Sequence, residues 1–276
     1  MYLIPILMNK DVRREYLKVA ALFGTVMTQL YDSLRTASSG LTYIEIRTLF
    51  QELVYKEIPL SRYSVDTYVF SRMTNHLGEE FDKILCVSIN ECVAHGKNKT
   101  EINLGDIVSI DAGIAVSIGS SNRKLYFDAA FTCELGNKHL STLASAPLQA
   151  LKVISKLEGE ISTRDIAKSI QEIAWSNNFS VVTALTGHGI GYSLHEYPSI
   201  PNAVFSNTTI KLPHHIMINP EPMYVQGDGS KVATVRLNDD GWSVITTGLS
   251  SHWETTFYYD GEKLHDIVGL TNIIID

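Results

Sequence analysis

The stretch IVSIDAGIAVSIGSSNRKLYFDAAFT (107–132) contains two strand-like apolar runs, from Ile107 to Val116 and from Leu125 to Thr132. Between them lies Gly119-Ser120-Ser121-Asn122, a composition that favours a turn. The stretch therefore predicts a β-hairpin.

Asp111 and Asp128 are the acidic residues inside these apolar runs, and their midpoint falls between residues 119 and 120. If the hairpin closes there, the two are cross-strand partners with Cβ atoms about 4.5–5.5 Å apart. A turn displaced by one residue would place them on a diagonal, which still allows a shared site. Solvated acids at strand ends are the ordinary alternative, but the uncharged surroundings favour metal ligation.

The rest of the chain reads as helices and strands around this hairpin. Apolar residues at helical spacing predict helices on both sides of it, and the last hundred residues return to strand patterns. Residues 61–80 stay ambiguous. The predicted helices cover about residues 11–36, Tyr43–Tyr55, Ser141–Leu157 and Arg164–Ser176, and a further strand covers Ile84–Ile89.

This order of elements suggests an internally duplicated α+β unit whose two halves close around one antiparallel sheet. No Pro- or Gly-rich linker divides the chain, so we expect a single catalytic domain over residues 1–276. The first eighty or so residues form its helical N-terminal segment.

Composition excludes several classes of protein. The 276 residues are 45% hydrophobic and 19% charged, as in ordinary soluble domains. A net charge of −7 without a block of Lys and Arg argues against a nucleic-acid partner, and no apolar run reaches the 18–20 or so residues that span a membrane. Three cysteines without a CxxC pair indicate reduced thiols and a cytoplasmic location.

Three further residues have settings that suit a metal ligand. His188 lies in TGHGIG, where glycines exclude a stable helix but permit close backbone approach. Glu221 lies between prolines in NPEPM, on an extended backbone, and Glu254 lies in the strand-like SHWETT. Each alone could equally be a loop histidine or a surface acid.

Together the five residues form a recognisable donor set. Four carboxylates and one imidazole suit two adjacent divalent cations, and four negative charges balance two M²⁺ ions. Without cations, four converging carboxylates would repel one another and several would take up protons.

With these residues in place, the chain resembles a type I methionine aminopeptidase of the pita-bread (creatinase/aminopeptidase) fold. The resemblance covers most of the chain from Cys86 onward, while the first eighty residues match only in helical pattern. It rests on CVSINECVAHG (86–96), LGDIVSIDAG (104–113), TGHGIGYSLHEYP (186–198), NPEPM (219–223) and residues 240–256.

The resemblance implies a role for each residue. Asp111 would hold one metal, His188 and Glu221 the other, and Asp128 and Glu254 would bridge them. Glu221 would also accept a proton from the attacking water. The two non-ligand histidines of the family match His95 and His195, which would hydrogen-bond the substrate amide and the oxyanion.

The resemblance also implies the substrate and the setting. A monomer would remove methionine from the N-termini of peptides and of nascent chains at the ribosome, using two ions drawn from Mn²⁺, Fe²⁺, Co²⁺ or Zn²⁺.

The expected methionine pocket departs from the family pattern. Cys86 and Trp242 match, while Leu194 stands where the family often has an aromatic residue. The loop that should precede Cys86 is replaced by Gly78-Glu79-Glu80-Phe81-Asp82-Lys83, in which only Phe81 offers a ring. We therefore expect a divergent member of the family.

Two alternatives follow the leading hypothesis of methionine removal. A non-catalytic pita-bread protein would bind peptides or a ribosomal surface, but such relatives typically lose metal ligands that this chain retains. A proline-specific aminopeptidase or prolidase is ranked last, since those relatives generally carry an extra N-terminal domain for which this chain has no room.

Overall fold

The computed structural model describes residues 8–97, 101–118, 123–204, 209–227 and 231–274. All four predicted helices are confirmed, with ends within three residues of the expected positions. None of the described helices is both long enough and apolar enough to cross a membrane. The helices are α1 (Lys10–Arg35), α2 (Tyr43–Glu57), α3 (Thr142–Ile154) and α4 (Thr163–Ser176).

Side chains at the N-termini explain where the helices begin. The Asn9 side chain accepts hydrogen bonds from two backbone N–H groups in the first turn of α1. Capping boxes, in which each side chain bonds the backbone of the other residue, start α2 (Thr42 with Glu45) and α4 (Ser162 with Asp165).

The strands form several antiparallel sheets. The strands are β1 (Leu41–Thr42), β2 (Tyr63–Asp66), β3 (Leu85–Ile89), β4 (Cys92–Ala94), β5 (Glu101–Ile102), β6 (Ile107–Ile118), β7 (Lys124–Glu134), β8 (Phe179–Val181), β9 (Thr186–Gly189), β10 (Glu196–Pro201), β11 (Ile216–Asn219), β12 (Met223–Gln226), β13 (Val235–Leu237), β14 (Val244–Thr246), β15 (Ser250–His252), β16 (Phe257–Tyr259) and β17 (Leu264–Asp266). The largest sheet has the order β10-β9-β11-β16-β17. The predicted hairpin belongs to a sheet of order β2-β6-β3, in which β7 also pairs with β6.

The hairpin forms, but its register differs from the one favoured by the sequence. Asp111 pairs with Ala130 and Asp128 pairs with Gly113, so the two carboxylates are not direct cross-strand partners. The hairpin closes one residue later than expected, which places them on a diagonal of one sheet face. The predicted turn residues, 119–122, lie outside the described residues.

Backbone pairing joins the two halves of the chain at this hairpin. Ala130 on β7 exchanges hydrogen bonds with Glu254, with N···O distances of 3.1 and 2.9 Å. On the other side, His188 on β9 pairs with Asn219 on β11. These pairings bring strands distant in sequence to one place.

Helix α1 packs on the hairpin through aromatic side chains. The Tyr16 ring stacks on Phe127 with centroids 4.4 Å apart, and its hydroxyl donates to the Tyr126 carbonyl at 2.7 Å. Tyr31 meets Phe131 edge to face at 5.4 Å. Such aromatic pairs contribute about 0.5–1.5 kcal/mol beyond their buried area. The N-terminal segment is therefore part of the support of β7.

The ambiguous segment 61–80 contains strand β2, a short 3-10 helix at Phe70–Arg72 and a loop. Asp66 holds it in place by pairing with Arg72 and, at 2.8 Å, with Lys124 of β7. Burial alone would raise the pKa of Asp66, but hydrogen bonds from these cations lower it to about 2.

Candidate metal centre

The five predicted ligands line one cavity. They come from separate parts of the fold: the middle of β6, the middle of β7, strand β9, the β11–β12 connection, and the residues after β15. In that order they are Asp111, Asp128, His188, Glu221 and Glu254. Two overlapping groups, Asp111–Asp128–Glu254 and His188–Glu221–Glu254, each offer ligand atoms within 4.8 Å of one another.

The His188 ring faces the carboxylates. Its Nε2 atom lies 3.2 Å from Glu221 Oε1, 3.8 Å from Glu254 Oε1 and 4.0 Å from Asp128 Oδ2. Its Nδ1 lies 2.9 Å from the Gly189 carbonyl. Because a carbonyl can only accept, Nδ1 carries the proton and Nε2 keeps a free lone pair directed at the acids.

Glycines around His188 allow this placement, as the sequence predicted. A Cβ atom at Gly187 would lie 2.4 Å from the Asn219 carbonyl oxygen, and one at Gly189 would lie 2.4 Å from the Tyr197 carbonyl oxygen. Any side chain would therefore push β9 away from its neighbours and move the imidazole.

Neighbouring polar groups orient Glu254. The Asn219 amide donates a hydrogen bond to Glu254 Oε1. On the other oxygen, His252 Nε2 lies 3.5 Å from Glu254 Oε2. The hydrogen bond from Asn219 is the kind of support that orients a metal-binding carboxylate, whereas His252 Nε2 has no hydrogen-bond partner among the described residues.

Burial raises the pKa of the carboxyl groups in the metal-free cluster and so favours their protonated forms. It raises the pKa of Asp111 to about 8, with a further contribution from the charge of Glu221, and it raises the pKa of Glu221 to about 8. The pKa values of Asp128 and Glu254 lie well above their usual range, first because of burial and then because of the other carboxylates. Positive charge would relieve this repulsion.

Unpaired polar atoms show that the residues suit cations. Asp111 Oδ1, Asp128 Oδ1 and His188 Nε2 are buried and have no hydrogen-bond partner among the described residues. A buried polar atom left unpaired costs about 1–3 kcal/mol. Divalent metal ions would coordinate all three atoms, and an oxygen-rich set with one imidazole suits Mn²⁺, Fe²⁺, Co²⁺ or Zn²⁺.

The two other predicted histidines also line the cavity. His195 is exposed, and its ring centroid lies 4.4 Å from that of His188. His95 is partly buried at a positive φ of 54°. Burial, with the nearby His195, lowers the pKa of His95 to about 4, so its imidazole is neutral near pH 7.

Three of the four predicted pocket residues line the cavity: Phe81, Cys86 and Trp242. The Phe81 and Trp242 rings are in contact, with centroids 5.0 Å apart. Leu194 is not among the described residues that line it. That side chain is 8% exposed and packs in the main hydrophobic core.

Four residues that line the cavity were not predicted from the sequence: Phe70, Met73, Met223 and His252. For two of them a signal was present. Met223 ends NPEPM, and His252 lies two residues before Glu254, which in a strand means the same face. Phe70 and Met73 lie in the segment whose structure the sequence left ambiguous. Together with the part that opens to solvent, the space that these residues surround is about 450 Å³.

Comparison with known proteins agrees with this geometry. The pattern of metallopeptidase family M24 matches residues 14–257. Methionine aminopeptidase of Mycoplasma capricolum is 36% identical over 193 residues, which is 67% of this chain and 72% of that one. The chain belongs to metallopeptidase family M24.

Solved structures confirm the predicted fold. The crystal structure of methionine aminopeptidase from Thermotoga maritima has a TM-score of 0.76 and 26% identity, covering 97% of this chain and 99% of that one. Prolidase from Pyrococcus furiosus has a TM-score of 0.61 at 15% identity, covering 95% of this chain and 65% of that one. The likeness to prolidase therefore shows the fold alone.

Proposed function

We propose that this protein is a metal-dependent aminopeptidase that removes methionine from the N-termini of peptides and new proteins. The family and the methionine aminopeptidases among its relatives support this. The observation that carries the proposal is the cluster of two buried carboxylates, two partly buried carboxylates and one buried imidazole beside an apolar cavity wall. A non-catalytic protein would have no use for so costly a cluster.

Two divalent cations are proposed for this cluster. Asp111 would hold one ion, His188 and Glu221 the other, and Asp128 and Glu254 would bridge them. When bound, the ions supply Lewis acidity that polarises a carbonyl group and makes water a stronger acid.

Protein groups would perform the proton transfer and hold the substrate. Glu221 would accept a proton from the attacking water and later donate it to the leaving amine. Burial raises the pKa of Glu221 in the metal-free cluster, and bound cations would lower it again, so the carboxylate would be ionised and able to accept a proton. The neutral imidazole of His95 and the exposed imidazole of His195 would hydrogen-bond the substrate amide and the developing oxyanion.

The apolar wall would receive the methionine side chain. Phe81, Cys86 and Trp242 contribute to it, together with Phe70 and Met73. Thioethers make favourable contacts with aromatic rings, so such a wall suits methionine. Leu194 has no part in this proposal because its side chain packs in the core.

The proposed setting is the cytoplasm, where the chain would act as a monomer with one catalytic domain on chains leaving the ribosome. The three free cysteines support a reducing compartment. Sedimentation of the purified protein tests the monomer, and co-sedimentation with ribosomes tests the association.

Peptide hydrolysis tests the activity. Protein loaded separately with Mn²⁺, Fe²⁺, Co²⁺ or Zn²⁺ would be incubated with Met-Ala-Ser, Met-Lys and an Xaa-Pro peptide. We expect methionine release from Met-Ala-Ser, much slower release from Met-Lys and no cleavage of the Xaa-Pro bond. Preferred cleavage of the Xaa-Pro peptide would favour the proline-specific alternative.

Metal analysis tests the non-catalytic alternative separately. We expect about two divalent ions per folded chain at neutral pH. Fewer than one ion per chain, together with no methionine release, would refute the proposal.

A further inference from the structure

Two loops meet at the apolar wall of the cavity. The first, residues 73–81, is closed by a hydrogen bond from the Phe81 N–H to the Met73 carbonyl at 2.9 Å. The second, residues 238–243, is closed by a hydrogen bond from the Asn238 N–H to the Ser243 carbonyl at 2.9 Å. Phe81 and Trp242, one from each loop, are in ring contact.

Asn75 organises the first loop from within. Its Oδ1 atom accepts hydrogen bonds from the backbone N–H groups of Leu77 at 2.9 Å and Glu79 at 3.0 Å. Its Nδ2 group donates to Glu79 Oε2 at 2.9 Å. These bonds hold the short turn between residues 75 and 79.

The same amide group reaches the second loop. Asn75 Nδ2 also donates to the Gly241 carbonyl at 3.2 Å, across a sequence separation of 166 residues. All the hydrogen-bonding sites of the amide are thus used: two acceptor positions within its own loop, and two donor positions divided between the loops.

The backbone conformation of Gly241 and its lack of a side chain allow this contact. It has a positive φ of 71°, which favours glycine, and a Cβ atom there would lie 2.7 Å from Asn75 Nδ2. Beside it, Asp240 Oδ1 accepts from the N–H groups of Trp242 at 2.9 Å and Ser243 at 2.8 Å. The position of the Gly241 carbonyl is therefore tied to that of the Trp242 backbone.

The two loops that Asn75 connects each contribute residues to the wall, while Asn75 and its hydrogen-bond partners are not among the described residues lining the cavity. Met73 and Phe81 end the first loop, and Trp242 follows Gly241 in the second. The Asn75 amide adds a hydrogen bond between the loops to the ring contact of Phe81 with Trp242, so it helps to fix the spacing between the two sides of the wall.

We propose that Asn75 is a positioning residue that sets the width of the slot for the first side chain of the substrate. This inference rests on the proposed function, since it assumes that the wall receives a methionine side chain. The residue acts through Trp242 and Phe81 and touches no reacting atom. Its loss should weaken substrate binding and leave the metal centre intact.

The test uses full-length, metal-loaded protein with N75D, the double variant N75D/E79Q and G241A. N75D keeps an acceptor for the Leu77 and Glu79 N–H groups but cannot donate to Gly241. In the double variant, the new amide side chain at position 79 restores a donor within the first loop, and the donor that position 75 offers to Gly241 is missing. L77S is the control, because Leu77 lies at the tip of the same loop with 67% of its surface exposed.

For each variant, kcat and KM for Met-Ala-Ser, the Kd of free methionine, the bound metal and thermal unfolding are measured. We expect both KM and the methionine Kd to rise about three- to tenfold in the double variant and in G241A, as for the loss of one hydrogen bond. In both variants kcat and metal content should stay within about twofold of the wild type. The lost interaction would stabilise the bound substrate and the transition state equally, so its loss raises KM and not the barrier from the bound state.

Unchanged KM and methionine Kd in folded, metal-loaded double variant would overturn the inference. So would a parallel loss of kcat and metal, because that would mean general damage to the site, or an equal effect of L77S. Absence of methionine release by the wild type refutes the proposed function instead, and this is known before any variant is compared.

Discussion

At the scale of single residues, two neighbouring histidines illustrate how surroundings assign chemistry. The rings of His188 and His195 are 4.4 Å apart, and both have a ring nitrogen near Asp128. His188 is 2% exposed, its tautomer is set by Gly189, and its free nitrogen has no hydrogen-bond partner among the described residues. His195 is exposed and also lines a neighbouring cavity together with His95 and Glu221. We therefore propose the first as a metal ligand and the second as a hydrogen-bond donor to substrate.

We expect alanine substitution to separate the two roles. H188A should lose metal affinity by about 100-fold or more, since even indirect supports of metal ligands are worth about 10–100-fold. H195A should keep both ions while kcat falls about 10²–10³-fold, as for the loss of an oxyanion donor. Metal analysis after dialysis and steady-state kinetics measure both effects. An H195A protein that loses an ion as readily as H188A would show that His195 is itself a ligand.

At the scale of elements, helix α1 contains a glycine whose replacement by alanine should lower stability, although helix propensity predicts an increase. Gly24 lies in the buried middle of α1, where a Cβ atom would be 1.7 Å from the Val268 carbonyl oxygen. That oxygen belongs to the backbone and cannot rotate away. The helix can approach the C-terminal segment this closely only because residue 24 has no side chain.

Helix propensity alone predicts that G24A stabilises the protein by about 1 kcal/mol. We expect the opposite, a loss of about 1–3 kcal/mol or more in the free energy of unfolding, because the new methyl group overpacks the contact. T25A, at the exposed next position, should change this free energy by less than about 0.5 kcal/mol. Urea unfolding of both variants gives the answer. A more stable G24A protein would mean that α1 does not pack against Val268 this closely.

At the scale of the whole molecule, the carboxyl groups of the cluster bind protons when no metal is bound. Asp111 and Glu221 have pKa values of about 8 when folded, against ordinary values of 3.8 and 4.5. At pH values between the ordinary pKa and the folded-state pKa of these groups, the folded state binds more protons than the unfolded state. The free energy of unfolding therefore falls as pH rises. Buried histidines act in the opposite direction only below their unfolded pKa near 6.5, since burial lowers the pKa of His188 to about 4 and of His252 to about 3.

The window for this effect is therefore pH 7 to 8.5. For protein stripped with a chelator, we expect the free energy of unfolding to fall over this range by on the order of 1 kcal/mol for each of the two carboxyl groups. With two divalent ions bound, cations replace the protons, so the fall should vanish and total stability should increase. Urea unfolding at several pH values measures both states. A metal-free protein whose stability rises from pH 7 to 8.5 would contradict the pKa values of the cluster.

The sequence predicted the proposed ligands better than it predicted the residues around them. For His188 and Glu221 the glycines and prolines predicted only the backbone around them, and their expected role came from the five-residue set and the family resemblance. Asp111 and Asp128 were predictable because an acid inside an apolar strand needs a partner. The favoured register between Asp111 and Asp128 was wrong because the hairpin closes one residue later than expected. Strand pairing in a hairpin depends on the exact loop length, which composition does not specify.

Sequence alone predicted the helices, the hairpin and the five side chains proposed as metal ligands, because these depend on periodicity, on the setting of single residues and on the family resemblance. Tertiary structure decided the apolar wall: it excluded Leu194, brought Phe70 and Met73 in from an ambiguous segment, and joined Asn75 to Gly241. Contacts across 166 residues of chain arise only when separate loops pack together. No local pattern in either loop could have revealed them.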